Sequence, residues 1–417
     1  MTRMLDVYLH TALTGHLRQN DGGDMSFQYA RSWLSNPGAV PLSHSLPLRA
    51  EPFRRKECRG FFGGILPEQT QREMIARNLG ISARNDYAML EKIGGECAGA
   101  VTFLPQGEPM PEQQYGYREL SDDELAAILK ELPTRPLLAG EKGIRLSLAG
   151  AQDKLAVCVQ GNTISLPLGG APSTHILKPN VERFDGVVFN EAFCMRLAAA
   201  IGLPTASVEI RKTKGVDFLL VERYDRHRTS VDGEVQRLHQ EDFCQALNIV
   251  SEHKYQQEGG PSLKQCFSLL RDISSAPVLD LDHLLVAVLF NYLVGNNDAH
   301  GKNFSLLYQG SGENRQIRLS PLYDVVSTTY YPELNANMAM RIGDEYSSAK
   351  VSLTDFEKMA EDAKLAKPLI RAHLREMTAL VMAEIPGIPT PNGVSQDVAD
   401  LIRHRCETAA TRFRTRP

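Results

Sequence analysis

An apolar stretch from Leu281 to Val294 stops at Gly295 and is followed at once by the polar run Asn297-Asp298-Ala299-His300-Gly301-Lys302-Asn303. The apolar part reads as a buried helix ended by its glycine, and Asn296 to Asn303 reads as a loop. Phe304–Tyr308 and Ile317–Leu319 then read as a hairpin around Gly310 and Gly312, leading to Ser320-Pro321-Leu322-Tyr323-Asp324. A chain carrying this order must set a polar loop between a core helix and a strand. A second acidic residue then waits at the end of the hairpin.

The bulk numbers allow such a core. The chain has 417 residues, of which 42% are hydrophobic and 23% charged. Length alone suggests roughly two to three folding units. The net charge of −4 gives no general case for binding nucleic acid or membrane. Cysteines stand singly at 58, 97, 158, 194, 244, 266 and 406, with no CxxC pair. They read as reduced, mostly buried thiols and give no support for a structural zinc site. The N-terminus carries Asp6 and lacks a long apolar segment, so no signal peptide is expected. The most apolar stretch, Leu284 to Gly295, is too short for a bilayer and contains Asn291. The expected location is the cytoplasm, with no membrane partner.

Along the chain, Val7–Leu9 and Met25–Tyr29 read as strands around the turn Asn20–Asp24. Helices are expected at Gln69–Leu79 and Asp86–Ile93, a loop at 107–114, and a capped helix start at Ser121-Asp122-Asp123-Glu124. Pro133, Pro136 and Gly140 mark a boundary near 135–142. Short strands follow at Ile144–Leu148, Lys154–Val159, Thr163–Leu166, Thr174–Lys178 and Asp217–Glu222, with an amphipathic helix at Asn190–Ile201. After 240 the pattern is mainly helical, and Leu353–Arg416 is helical with interruptions at 386–391.

The candidate chemistry lies in the polar loop. Asp298 and Asn303 are five residues apart, the separation of the carboxylate and amide in a protein-kinase catalytic loop. One carboxylate can meet an attacking hydroxyl while the amide oxygen, a short turn later, holds Mg²⁺. Asp324 stands where a second metal carboxylate belongs. Ordinary turn chemistry also produces Asn-Asp-Gly clusters, so the loop alone does not decide. Upstream, Ser147 to Lys154 joins two expected strands with small residues, which lets backbone N–H groups approach phosphates or simply makes a hairpin turn. Lys178 ends a strand, the place of a phosphate-binding lysine, and Glu191 on the next helix can pair with it; both are also common surface types. Phe218–Val221 followed by Glu222-Arg223-Tyr224 suits a hinge that bonds adenine, or a plain core strand. The order of these parts favours phosphoryl transfer over a run of unrelated turns.

The same residues resemble the HipA family of bacterial Ser/Thr kinase toxins. The likeness rests on Leu146–Lys154, Thr174–Lys178, Val221–Arg226, Gln240–Asp242, Asp298–Phe304 and Pro321–Asp324, together with Pro41–Leu48, Phe61–Glu68 and Gly99–Thr102. It covers nearly the whole chain. The resemblance implies an α+β, two-lobed protein-kinase-like fold, with a small β-rich lobe, a mainly helical large lobe and an N-terminal α/β subdomain. The expected divisions are 1–140, 141–225 and 226–417. It implies ATP and Mg²⁺ as cofactors, Asp298 as catalytic base, and Asn303 and Asp324 as metal ligands. It implies ATP contacts from Ala149, Gly150, Ala151, Gln152, Lys154, Lys178, Glu222, Tyr224, His300, Lys302 and Tyr323, with Glu191 in a structural ion pair. Ser147 takes the place of the family's autophosphorylated serine, where a phosphate beside those of ATP would oppose binding. The implied partners are a HipB-type DNA-binding antitoxin, with DNA met only through it, and a protein substrate such as an aminoacyl-tRNA synthetase. Asp153 stands where the family commonly has Glu, and Tyr224 where Phe is also seen.

Two other readings stay open at this stage. One is a regulatory ATP-binding co-repressor with little turnover; the other is a small-molecule or lipid kinase. The C-terminal arginines 403, 405, 412, 414 and 416 could touch DNA, but they read more simply as a solvated helix face and a frayed tail.

Overall fold

The computed structural model describes residues 3–108, 110, 116–181, 183–228, 234–310 and 315–413. Most of the expected 107–114 loop, Gly312, Arg414 and Arg416 lie outside these residues. Contacts gather the chain into two units. The first is Met1–Pro179 with Arg211–Glu252 and Leu307–Arg315; the second is Asn180–Ile210 with His253–Leu306 and Gln316–Pro417.

In the first unit, strands β1 (Arg3–Leu9), β2 (Ala12–Gln19), β3 (Met25–Tyr29), β4 (Phe53–Arg54) and β5 (Val101–Pro105) form an antiparallel sheet in the order β4-β3-β2-β1-β5. Met25, Phe27 and Tyr29 point to one face and are buried there, as a two-residue repeat requires. Helices α1 (Arg31–Leu34), α2 (Arg55–Gly64) and α4 (Asp86–Ile93) lie against this sheet, and α3 (Gln69–Leu79) and α5 (Asp122–Glu131) belong to the same unit. The bounds of α3 and α4 match the sequence expectation. Ser121 caps α5 and Glu124 returns the bond, the reciprocal cap expected there.

A second antiparallel sheet runs β10-β11-β9-β7-β8-β6, built from β6 (Gly116–Glu119), β7 (Leu155–Gln160), β8 (Thr163–Leu168), β9 (His175–Pro179), β10 (Val208–Thr213) and β11 (Val216–Glu222). Both sheets share one apolar core, which reaches from Leu5 and Phe27 to Leu177 and Leu220. The strand expected at Ile144–Leu148 is not part of either sheet: Leu146 makes a single bridge to Glu96. Its alternating apolar residues are instead buried as an irregular segment.

The second unit is mainly helical, with α6 (Val187–Ala200), α7 (Leu263–Ile273), α8 (Pro277–Val294), α9 (Leu353–Asp362), α10 (Lys367–Glu384) and α11 (Gly393–Arg412). Helix α6 is buried on nearly every side rather than amphipathic. Helix α8 begins at Pro277, earlier than the sequence suggests, because proline is favoured in a helix's first turn. Its 18 residues are long and apolar enough to cross a membrane by length and composition alone. However, 61% of it is buried within the structure, and Asp280 near its start is held by Arg318, Ser274 and the Leu319 N–H. All seven cysteines are buried thiols.

Glu241 shows how tightly the first unit is closed. Its carboxylate accepts bonds from the Ser43 and Tyr308 hydroxyls and from the His44 N–H at 2.9 Å. Burial still pushes it up to about 7 from an ordinary 4.5, against the pull of those donors, with Asp242 adding to the rise. A carboxyl held above its ordinary value stabilises the fold fully below about pH 4.5, and that contribution is lost as pH rises through about 7. Wild type should therefore lose stability between pH 5 and pH 8 relative to Glu241→Gln, by roughly 1–3 kcal/mol at about 1.4 kcal/mol per unit. Urea midpoints of the two proteins across that range measure the difference.

Candidate active site

The polar loop is delivered by α8. Gly295 ends that helix at φ +75°, a conformation that costs an L side chain about 1–2 kcal/mol. A Cβ there would also lie 2.1 Å from the Thr329 hydroxyl. The carbonyls of Tyr292 and Leu293 at the helix end accept from the Arg405 guanidinium at 2.6 and 3.1 Å. Arg405 is thus a helix cap and not part of a solvated face, while Arg412 donates to the Val351 carbonyl and Arg403 pairs with Asp400 on the surface.

Three asparagines then lock the loop. Asn296 Nδ2 donates to Asn291 Oδ1 at 2.7 Å, and its own Oδ1 accepts from the Asp298 N–H. Asn297 donates through its backbone N–H to Thr328 Oγ1 at 2.7 Å and through its amide to the Ala336 carbonyl at 3.0 Å. Asp298 is exposed. Its Oδ1 accepts from the Tyr255 hydroxyl at 2.7 Å. Asn303 turns back into the loop, its Oδ1 accepting from the His300 N–H at 3.0 Å. Its Nδ2 reaches Asp324 Oδ2 at 3.2 Å. His300 and Lys302 are both buried. The Tyr323 hydroxyl donates to the Lys302 carbonyl and bonds Ser305 Oγ, both at 2.7 Å. Asp324 sits at φ +60°. Such strain in a non-glycine residue persists where its surroundings over-determine it, and it clusters at active sites.

The other candidates lie in the first unit. Ser147 is fully buried, its hydroxyl donating to the Ile65 carbonyl at 3.0 Å and its N–H to the Glu96 carbonyl at 2.8 Å. Ala149, Gly150, Ala151 and Gln152 are half-buried. The Gly150 carbonyl accepts from the Glu68 N–H at 3.1 Å, and Lys154 Nζ folds back onto the Ala149 carbonyl at 2.8 Å. Asp153 is bonded by the Gln71 amide. Burial raises its carboxyl, against the pull of Gln71 and Lys154. Lys178 is buried on β9, opposite Leu219 of β11, and Glu222 ends β11 opposite His175. Lys178 and Glu191 belong to different units, and Glu191 is buried on α6.

Beyond β11 the side chains alternate. Glu222 is exposed and Tyr224 half-exposed with its hydroxyl bonded to Gln240, whereas Arg223 and Asp225 point inward. Arg223 forks onto Asp225 at 2.9 and 2.7 Å and reaches Glu96 at 3.3 Å, and Arg226 bonds Glu96 at 2.9 Å. Burial pushes Glu96 up, but Arg226, Arg223 and Arg237 outweigh it and hold the carboxyl at about 2. The structure therefore gathers Asp298, His300, Lys302, Asn303, Tyr323 and Asp324 in one unit, and the 147–154 loop, Lys178, Glu222 and Tyr224 in the other. Sequence reasoning missed Tyr255, Asn190, Arg405 and Glu96. Asn190 brackets Ser327, accepting from its N–H at 2.8 Å and donating to its carbonyl at 3.1 Å.

The Asn303–Asp324 pair suits Mg²⁺. That ion takes hard oxygen ligands, usually one or two carboxylates, and fills its remaining positions with water and phosphate oxygens. Asn303 Oδ1 uses one of its two lone pairs on His300, leaving acceptor capacity for a cation. Among the described residues no cluster of three or more His, Cys, Asp or Glu forms an all-protein metal cage.

Fold and loop together define a protein of the two-lobed kinase-like class with an N-terminal α/β subdomain. The HipA N-terminal domain matches residues 5–104, and the HipA-like C-terminal domain matches residues 146–385. This chain belongs to the HipA family. It is 46% identical to Y4mE of Sinorhizobium fredii, provisionally named a kinase, over 98% of this chain and 97% of that one. It is 29% identical to the serine/threonine-protein kinase toxin HipA of Shewanella oneidensis, over 97% and 96% of the two chains. A solved structure from Shewanella oneidensis MR-1, of HipA with HipB and operator DNA, superposes with a TM-score of 0.81 at 28% identity, covering 98% of this chain and 96% of that one.

The backbone at the loop's entry gives a direct check. Gly295→Ala should lower the unfolding free energy by about 1–3 kcal/mol, read as a fall in Tm, because it adds both the left-handed cost and a clash with Thr329.

Proposed function

We propose that the chain is a Ser/Thr protein kinase toxin that transfers the γ-phosphate of ATP to a protein hydroxyl. The observation that carries this reading is the loop itself: exposed Asp298, and Asn303 within hydrogen-bond reach of a strained Asp324. Asp298 receives the proton of the attacking hydroxyl as its oxygen bonds the γ-phosphorus, the bond from that phosphorus to the β,γ-bridging oxygen breaks and ADP leaves. Asn303 and Asp324 would hold Mg²⁺, which would supply positive charge against the phosphates. Lys178, Lys154 and Lys302 contribute positive charge toward the phosphates, with backbone N–H groups of 149–152, His300 and Tyr323 lining the nucleotide. Glu222 and Tyr224 serve the adenine.

The protein works in the cytoplasm beside a HipB-type antitoxin and meets DNA through that partner. This part of the proposal is supported by the Shewanella complex it resembles. Its substrate is a protein hydroxyl, with aminoacyl-tRNA synthetases as the first class to assay. Ser147 is the self-modification site. Because it is fully buried, the 146–152 segment has to leave its place before Ser147 can be modified, and a phosphate of roughly −2 charge then keeps it from returning, which shuts the kinase off.

With Mg·ATP, mass spectrometry should find phosphate on Ser147 in wild type and none in Asp298→Gln, whose transfer rate falls by at least roughly 100-fold while ATP binding is kept. Asp324→Asn should also weaken Mg·ATP binding, measured by calorimetry, because a charge on the metal is removed. Tight ATP binding without transfer to the chain itself or to protein from cell extract would sink the kinase reading.

A further inference from the structure

We infer that Tyr255 is a positioning residue for the base, a role that rests on the kinase reading of Asp298. Its hydroxyl donates to Asp298 Oδ1 at 2.7 Å. Among the described residues it is the only side chain that donates to that carboxylate. A carboxylate on an exposed loop rotates about its terminal torsion unless something fixes it, because that torsion is broad. A hydroxyl donor on one oxygen sets the carboxylate plane and turns the other oxygen toward the approaching substrate. A charge-assisted bond is stronger than a neutral one, so the setting persists in an exposed site.

Tyr255 is built to hold still. Its backbone carbonyl accepts from both the Glu258 and Gly260 N–H groups at 2.9 Å, which closes the segment into a tight turn. Gly260 permits that closure, since a Cβ there would lie 2.6 Å from the His253 and Lys254 backbone. The next residue, Gln256, accepts from the Arg341 N–H at 3.0 Å, pinning the turn to Asn337–Ile342. The ring is held too, edge-on to His300 with centroids 5.6 Å apart and with the Lys254 ammonium 5.5 Å from its centre. A phenol fixed in this way acts as a stop for the base rather than as a moving lid. Tyr255 bears on a residue of the same loop that carries Asn303, so the donor and the metal-side amide share one scaffold.

The test is the rate of self-phosphorylation with Mg·ATP, measured against ATP concentration for wild type, Tyr255→Phe and Tyr255→Leu. Tyr255→Phe keeps the ring and its contacts and removes only the donor. It should lower the saturated rate roughly 10- to 100-fold, the range that a small misplacement of a catalytic group produces, with the half-saturating ATP concentration and Tm unchanged. A Phe variant equal to wild type, with loss only in Leu, would reduce Tyr255 to a packing residue and overturn the inference. A Phe variant faster than wild type would overturn it as well, showing that the phenol blocks the place of the substrate hydroxyl. A wild type that binds ATP and transfers nothing, even to extract protein, fails at the kinase reading itself and takes this inference with it.

Discussion

Much of the first unit depends on one buried acid. Through its backbone, Glu96 donates to the Arg145 carbonyl and accepts from the Ser147 N–H, both at 2.8 Å. Through its side chain it takes Ser173, Arg223 and Arg226. A single residue at the end of the N-terminal subdomain thereby fixes both the start of the small-residue loop and the polar exit of β11. Four ionised groups buried together, Glu96, Arg223, Asp225 and Arg226, are costly unless every one is bonded. Here Arg223 also reaches the Cys97 carbonyl and Ser173 Oγ, and Asp225 accepts from the Gly99 N–H at 2.7 Å. With Arg223 and Asp225 forced inward, Glu222 and Tyr224 have to face outward.

The N-terminal subdomain is thus part of the machinery around the loop and not an appendage. Residues 65–71 hold Ser147, Gly150 and Asp153 from one side, and Glu96 holds the segment from the other. The same subdomain meets the 239–252 segment through Ser43 and His44 on Glu241 and through Arg59 on Glu252. The common apolar core follows from this: neither sheet of the first unit has a complete interior by itself.

What was legible in the sequence is what is local. Helices α3 and α4, the Ser121 cap and the Gly295 stop are written in neighbouring residues. So is the Asp298–Asn303 spacing, because one short turn contains both. What escaped is what pairs at long range. Glu96 and Arg223 are 127 residues apart, Arg405 and Leu293 112, and Tyr255 and Asp298 43. An arginine that caps a distant helix looks, in sequence, the same as one in water. The 144–148 segment misled for a related reason. Its alternation answers to burial, and whether a strand partner exists is decided elsewhere in the chain. Strands β2 and β10 were missed because polar residues interrupt them, and pairing with neighbours supplies the order their own pattern lacks.

The strain at Asp324 has to be held by something, and the flanking contacts show what holds it. Two residues before it, Leu322 donates to the Pro204 carbonyl at 2.7 Å and accepts from the Ala206 N–H at 2.9 Å. Three residues after it, Ser327 is clamped from both sides by Asn190. With both ends tied, the segment between cannot relax to an ordinary backbone conformation without breaking at least one buried bond, each worth about 1 kcal/mol or more. That offsets the 1–2 kcal/mol or so that the left-handed conformation costs. Both anchors belong to α6 or to the turn that leaves it. The backbone on either side of Asp324 is therefore tied to α6 and to the turn that leaves it, while the Asn303 amide ties its carboxylate to the polar loop.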